Sequence, residues 1–265
     1  MKKILITGKD SYIGTSVEKW LMKEPDKYSV DTLDVKGNNW KDYDFTRYDT
    51  VFHVAGIVHL KEKPEMNDLY FKVNRDLAYE IAEKSKKDGI KQFVFLSSMS
   101  IYGIEQGVIT RDTMPAPKSI YGKSKLEAEK LIEQLNDSNF KMAILRPPMV
   151  YGEGCKGNYP RLVSLAKKTP IFPDYPNKRS MIYIDNLSEF IKQLIDNDSK
   201  GLFFPQNKEY VCTSEMVKLI AKEHNREIYM TKLFNSIIKG LTRINTIGKV
   251  FGDLVYDMEI SDYES

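Results

Sequence analysis

Tyr121 and Lys125 stand one helical turn apart, and Ser98 precedes the tyrosine by 23 residues. A phenol beside an ammonium, with a hydroxyl near by, can pass a proton to or from a carbonyl oxygen. Tyrosine ionises near pH 10 in water, so work as a base at neutral pH requires stabilising its phenolate by about 4 kcal/mol. A lysine at i+4 shares the tyrosine's helix face and can supply that field, and it can also hold the ribose hydroxyls of a nicotinamide cofactor. A serine hydroxyl from a neighbouring strand end can fix the substrate oxygen at a set distance. Two alternatives stand beside this reading. With 16 tyrosines in a lysine-rich chain, a Tyr-x-x-x-Lys pair can arise by accident, and Ser98 can simply cap a turn.

A second device opens the chain. The run Thr7-Gly8-Lys9-Asp10-Ser11-Tyr12-Ile13-Gly14 lies between an apolar stretch and an amphipathic one. Glycines at such a strand-to-helix turn let the backbone approach a dinucleotide pyrophosphate at the helix N-terminus. Ser11 occupies the middle glycine position; it can still present its N–H, while its side chain crowds the phosphate. Asp34 follows 20 residues beyond Gly14, where a carboxylate hydrogen-bonds an adenosine 2′-hydroxyl and repels a 2′-phosphate. That favours NAD over NADP, with Lys9 and Lys36 close enough in sequence to admit the phosphate. The alternatives are an ordinary turn at 7–14 and a strand-end turn residue at Asp34.

These groups need a scaffold, and the pattern supplies one. Short β-branched runs at Lys3–Thr7, Ser29–Val35, Thr50–Val54, Gln92–Ser97 and Lys141–Leu145 alternate with amphipathic stretches at Ile13–Lys23, Asn74–Lys87 and Tyr121–Leu135. In the first helix Ile13, Val17, Trp20 and Leu21 share a face. Strands apolar on both faces, in repeated β-α-β order, predict an α/β fold: a Rossmann-type doubly wound parallel sheet with helices on both faces. Ser97-Ser98 then ends a strand, where such sheets bind ligands. Beyond Arg146-Pro147-Pro148, prolines and glycines break the pattern until a strand-helix unit returns at Met181–Ile195. The expected division is a dinucleotide-binding domain from 1–148 and 181–200, with a smaller α/β substrate domain from 149–180 and 201–265. A helix is expected near Ser214–His224.

Bulk properties exclude other classes. The 265 residues carry 42% hydrophobic and 29% charged residues with a formal net charge of +3, too small and scattered for a nucleic-acid binder. Cys155 and Cys212 form neither a disulfide framework nor a metal-ligand pattern, so no metal is expected and a reducing cytoplasm fits. The apolar run after Met1-Lys2-Lys3 is too short for a signal peptide. No stretch approaches the roughly 18 apolar residues that cross a bilayer, so no membrane partner is expected.

The runs TGKDSYIG, VFHVAGIVH (51–59), FLSSMSIYG (95–103), YGKSK (121–125) and LRPPMVYGEG (145–154), with Asp34 and Asn74, resemble the extended short-chain dehydrogenase/reductase superfamily. More narrowly they resemble its NAD-dependent epimerase/dehydratase family, acting on nucleotide sugars. The likeness covers residues 1–200 well and the tail loosely. Classical short members put the serine nearer the tyrosine, so the spacing favours the extended branch. The resemblance implies Ser98 as substrate-oxygen donor, Tyr121 as acid/base and Lys125 as its activator and ribose anchor. It implies a cofactor lined by Gly8, Ser11, Tyr12, Ile13, Gly14, Ala55 and Gly56, with Asn74 structural or on the cofactor side. KGNYPRL (156–162) and NKRSMIYIDNL (177–187) resemble the family's nucleotide-diphosphate segment, which makes Lys156, Asn158, Arg161 and, first among them, Arg179 candidate contacts. Each can also be a solvated charge. Met149 stands about where typical 4-epimerases carry an asparagine, so one expected substrate contact is lost. Met99 and Ser100 replace the carboxylate pair that a dehydratase needs. The implied reactions are 4-epimerisation of a UDP-hexose-type substrate or reduction of a 4-keto sugar, in surface polysaccharide synthesis. A dinucleotide sensor on the same fold is a further alternative. Pairing of two copies through the tyrosine helix is usual in the family.

Overall fold

The computed structural model describes residues 1–58, 63–242 and 245–261. His59, which ends the run VFHVAGIVH, lies outside them. In chain order the first elements are β1 (Lys2–Thr7), α1 (Tyr12–Leu21), β2 (Tyr28–Leu33), β3 (Thr50–His53), α2 (Asn67–Phe71) and α3 (Leu77–Lys87). A π-helical turn, Lys72–Asp76, joins α2 to α3. Then follow β4 (Gln92–Leu96), β5 (Gly107–Ile109), α4 (Ile120–Glu133), β6 (Lys141–Leu145), β7 (Met149–Tyr151), α5 (Asn158–Lys168) and β8 (Ile171–Pro173). The remainder comprises β9 (Met181–Tyr183), α6 (Ile184–Asp196), β10 (Gly201–Phe203), α7 (Thr213–Glu223), β11 (Tyr229–Thr231), α8 (Asn235–Leu241), α9 (Asn245–Phe251) and β12 (Leu254–Tyr256).

Six strands pair in parallel in the order β10-β6-β4-β3-β1-β2. β3 and β4 are buried along their whole length, as expected of strands covered on both faces. The pleat decides which helix each side chain meets. Leu5, Val51 and Phe93 join Ala78 and Ile81 of α3 and Ala128 and Ile132 of α4 in one apolar cluster. On α1, Gly14 lies against Ile6 of β1 and Val54. Next to α1 runs α6, where Glu189 accepts a hydrogen bond from Trp20 Nε1 (2.8 Å). The sheet is doubly wound, as the alternation predicted.

The chain separates into two compact units. The first is Met1–Gly103, Pro115–Pro148 and Tyr183–Pro205; the second is Ile104–Met114, Met149–Ile182 and Gln206–Ser265. The expected boundaries differ at three places, each for a pairing reason. Residues 104–114 leave the first unit because β5 pairs in parallel with β12, Gly107 opposite Leu254. Residues 201–205 join the first unit because β10 adds to β6 as the sheet's edge. Ile182 and Met181 go with the second unit, where Met181 enters its core.

That second core gathers Ala166, Phe172, Met216, Val217, Ile220 and Ala221, with α5 against α7. The proline-broken stretch contains α5 after all. Pro160 is the third residue of that helix, in the first turn where no N–H donor is required.

One close approach positions the tyrosine helix. At Gly122, in the first turn of α4, a Cβ would lie 2.6 Å from the Ser100 carbonyl oxygen, so glycine lets α4 touch the turn that follows Ser98. Gly122→Ala should cost about 1–3 kcal/mol, measured by urea denaturation. An unchanged midpoint and slope would remove this contact from the list of constraints.

Candidate active site

At the carboxyl edge of the sheet, strand order reverses between β1 and its neighbours β2 and β3, the crevice where open α/β sheets place ligands. Gly8 sits there with φ +116°, and a Cβ on it would lie 2.7 Å from the Ala55 amide nitrogen. The backbone after β1 and the backbone after β3 are therefore in direct contact. Ser11 caps α1, its Oγ accepting from the Gly14 N–H (3.2 Å), and its own N–H donates to the Gly8 carbonyl (3.1 Å). This corrects the expectation that Ser11 presents its N–H to a phosphate: capping and turn closure engage both groups. What remains at the turn is the N-terminal dipole of α1, whose first turn carries Tyr12 and Ile13. Asp34 follows β2 directly and is exposed. One carboxylate oxygen accepts from the Lys36 N–H (2.9 Å), the strand-end turn anticipated as its alternative role, and that bond leaves the second oxygen available.

Ser98, Tyr121 and Lys125 are brought together across the end of β4. Ser98 takes the turn-capping role anticipated as its alternative. Its Oγ caps a 3₁₀ turn, accepting from the Ser100 N–H (3.1 Å), and its side chain hydrogen-bonds the Tyr121 phenol. Lys125 is 4% exposed; its Nζ donates to the Leu96 carbonyl (2.8 Å) and lies 4.7 Å from the centre of the Phe95 ring. Burial pushes the ammonium down to about 8, against the lift from Glu129. Burial pushes the Tyr121 phenol up to about 12, against the Ser98 hydrogen bond and with the nearby Tyr70 adding to the rise. The expected lowering of the phenol is thus reversed in the protein alone, because desolvation disfavours the phenolate.

Four supports surround the trio, of which Glu129 and His53 escape a reading by spacing. Asn74 is fully buried; its Oδ1 accepts from the Ile57 N–H (2.7 Å) and its Nδ2 donates to the Ile57 carbonyl (3.0 Å) and Ser124 Oγ (3.1 Å). It ties the loop after β3 to α4. Gly56 in that loop lies against both groups, since a Cβ there would be 3.0 Å from Asn74 Oδ1 and 3.4 Å from Lys125 Nζ. Glu129, one turn beyond Lys125, is buried and pairs with Arg146 at the end of β6 (2.6 Å), while Arg146 Nη1 donates to the Tyr102 hydroxyl (2.7 Å). Finally His53, buried and held at about 3 by burial and by Lys125, is neutral and bonds Thr7 Oγ1 through Nδ1 (2.7 Å).

A nicotinamide dinucleotide fits this set. The glycine approach at Ala55, the Gly56–Lys125 contact and the uncommitted oxygen of Asp34 line one sheet edge. There the buried Ser97 Oγ and His53 Nε2 have no hydrogen-bond partner among the described residues.

The remaining candidates lie in the second unit. Lys156, Asn158 and Arg161 are exposed around the first turn of α5. Arg179 forms backbone bridges to Val211 and Leu254, and its Nη1 donates to the Gly252 carbonyl (3.1 Å). Burial pulls its guanidinium below the usual range. Met149 packs against the second unit's apolar core. Among the described residues no cluster of metal-ligating side chains occurs.

Residues 4–204 match the model of the NAD dependent epimerase/dehydratase family. The chain belongs to that enzyme family. It is 30% identical over 249 residues to UDP-glucose 4-epimerase of Vibrio cholerae, covering 83% of this chain and 75% of that one. It is 26% identical over 244 residues to N-acetyl-alpha-D-glucosaminyl-diphospho-ditrans,octacis-undecaprenol 4-epimerase of Escherichia coli O157:H7, covering 85% and 73%. In fold it resembles UDP-glucuronic acid 4-epimerase from Bacillus cereus in complex with NAD, with a TM-score of 0.73 at 19% identity over 99% and 94% of the two chains. It also resembles dTDP-4-dehydrorhamnose reductase from Bacillus anthracis in complex with NADP, with a TM-score of 0.69 at 22% identity over 87% and 83%. The family match bears out the resemblance drawn from the motifs, and with it a nicotinamide dinucleotide as cofactor.

Lys125 makes a stability prediction with a definite sign. It titrates near 8 in the folded chain against an ordinary 10.5, so between those values the unfolded chain binds more protons and stability rises with pH. Below about 8 both states are protonated and the contribution is flat. Lys125→Met should lack this rise, so its stability relative to wild type should fall by about 2 kcal/mol from pH 8 to pH 10. Parallel denaturation curves across that range would contradict the buried, depressed ammonium.

Proposed function

We propose that this protein moves a hydride to and from a ring carbon, C4, of a nucleotide-activated sugar, and that it acts as a UDP-hexose-type 4-epimerase in surface polysaccharide synthesis. The observation that carries the reading is the Ser98–Tyr121 hydrogen bond beside buried Lys125 at the end of β4. The names of the two relatives support it, since each is a 4-epimerase of a hexose carried on a diphosphate.

In this reading Ser98 holds the C4 oxygen and Tyr121 takes its proton as the hydride leaves, then returns it when the 4-keto sugar is reduced from the other face. At neutral pH Lys125 is mostly protonated, since it titrates near 8; its charge offsets the cost of forming a phenolate from a half-buried phenol whose own pKa is about 12. NAD, when bound, supplies the hydride acceptor. Gly8, the first turn of α1 with Tyr12 and Ile13, Gly14, Ala55 and Gly56 would line it. Ser11 would act through its cap, and Asp34 would hold the adenosine ribose. Lys156, Asn158, Arg161 and Arg179 are the proposed contacts to the nucleotide diphosphate, where arginine's fork suits two oxygens at once. Met149 takes the place of a polar substrate contact. Met99 and Ser100 stand where a dehydratase would carry its carboxylate pair, which counts against dehydration. A cytoplasmic site of action and a homodimer belong to the same proposal.

The second reading is a one-way 4-keto reductase, favoured by the likeness of the stretches RPPMVYG (146–152) and RSMIYIDNL (179–187) to such reductases. A non-catalytic dinucleotide sensor is disfavoured because Tyr121 and Lys125 are both present. Purified protein incubated with UDP- and dTDP-hexoses separates the three. Interconversion without added cofactor supports the epimerase, NAD(P)H-dependent reduction of a 4-keto sugar supports the reductase, and no turnover supports the sensor.

Tyr121→Phe should retain NAD binding while turnover falls by about two to four orders of magnitude; near-full activity would remove the phenol from the mechanism. Asp34→Ala should narrow the preference for NAD over NADP, read from the ratio of their dissociation constants. A ratio equal to that of the wild type would show that Asp34 serves only its turn.

A further inference from the structure

One face of the second unit is apolar where solvent would favour polar groups. β8 and β11 pair in parallel, with Ile171 opposite Tyr229 and Phe172 opposite Met230. Phe172 enters the core, so the pleat turns Ile171 outward, and Tyr229 beside it is 70% exposed. The chain continues through Lys232 into α8, where Ile238 is buried. Leu233 and Ile237, one turn apart, are 79% and 60% exposed, with Phe234 exposed between them. A lone exposed leucine is ordinary; five large apolar side chains on adjoining segments form a patch.

The segments that carry it are basic. Within residues 167–174 and 226–241 the cations are Lys167, Lys168, Arg226, Lys232 and Lys239, against Asp174 and Glu227. Lys232 lies 3.9 Å from Asp174, while the other four form no ion pair among the described residues. Pairing with a second copy through this face would set the cationic segments against each other, since a twofold contact juxtaposes the same surface. Apolar side chains on segments with excess lysine suit a surface that is anionic outside and apolar beneath.

We propose that this face rests on an anionic lipid bilayer, with Leu233, Phe234 and Ile237 at headgroup depth and the lysines on lipid phosphates. The contact is peripheral: no described helix is long and apolar enough to cross a membrane, and α8 has seven residues. It stands independently of the reaction proposed above.

Flotation of the full chain with phosphatidylcholine vesicles, with and without a third of phosphatidylglycerol, tests it. Binding should be at least about tenfold stronger to the anionic vesicles and should weaken at high salt. Leu233→Glu/Ile237→Glu and, separately, Lys232→Glu/Lys239→Glu should each abolish it while far-UV circular dichroism and NAD binding match wild type. Equal partition between the two vesicle types overturns the proposal, as does binding that survives the first double variant. Lipid-free wild type that self-associates, and becomes monomeric in Leu233→Glu/Ile237→Glu, overturns it too, because the face then belongs to a second copy.

Discussion

A buried ammonium is costly unless something nearby answers its charge, and Lys125 is the point at which this chain meets that cost. The Phe95 ring lies against it, and among the described residues only the Leu96 carbonyl accepts its hydrogen bond, at 2.8 Å. Glu129 supplies the compensating charge and would itself be an unpaired buried carboxylate without Arg146, which in turn reaches the Tyr102 hydroxyl. A single catalytic requirement thus spreads from α4 to the end of β6 and to the turn after Ser98. The first unit's packing at this edge is organised around holding a charge where solvent cannot reach it.

The same edge depends on backbone proximity. Gly8 against Ala55, Gly56 against Lys125 and Gly122 against Ser100 each join segments that no side chain could separate without moving a functional group. Asn74 locks the loop after β3 to α4 with three hydrogen bonds. His53 and Thr7 bridge β3 to β1 just beneath. Such residues hold dimensions rather than perform chemistry, and a site that must place an oxygen and a hydride acceptor within a fraction of an ångström needs them.

The scaffold was legible because its signals are local. The strand at Lys3–Thr7, the helix face of Val17 and Leu21, and the placing of Tyr121 and Lys125 on one helix all read correctly from spacing over a few residues. What eluded the sequence depends on partners distant in the chain. Glu129 and Arg146 look like surface charges until β6 is placed beside α4. Residues 104–114 look like part of the first unit until β12 supplies their pairing partner. Tyr121's pKa could not be signed from spacing, because a lysine at i+4 is visible in sequence and desolvation is not. Pro160 misled in the other direction: proline marks a break in general, yet in a helix's first turn it marks a beginning.

The β5–β12 pairing has a consequence for biosynthesis. Residue 107 leaves the ribosome 147 residues ahead of its partner at 254, a wait of roughly 7–30 seconds at ordinary elongation rates. During that interval an unpaired strand edge hangs from a nascent chain whose six-stranded sheet can already close once β10 has emerged. Among the described strand pairs this one is the most widely separated in sequence, so a chaperone that shields strand edges would be needed at 104–114 for longer than at any other strand.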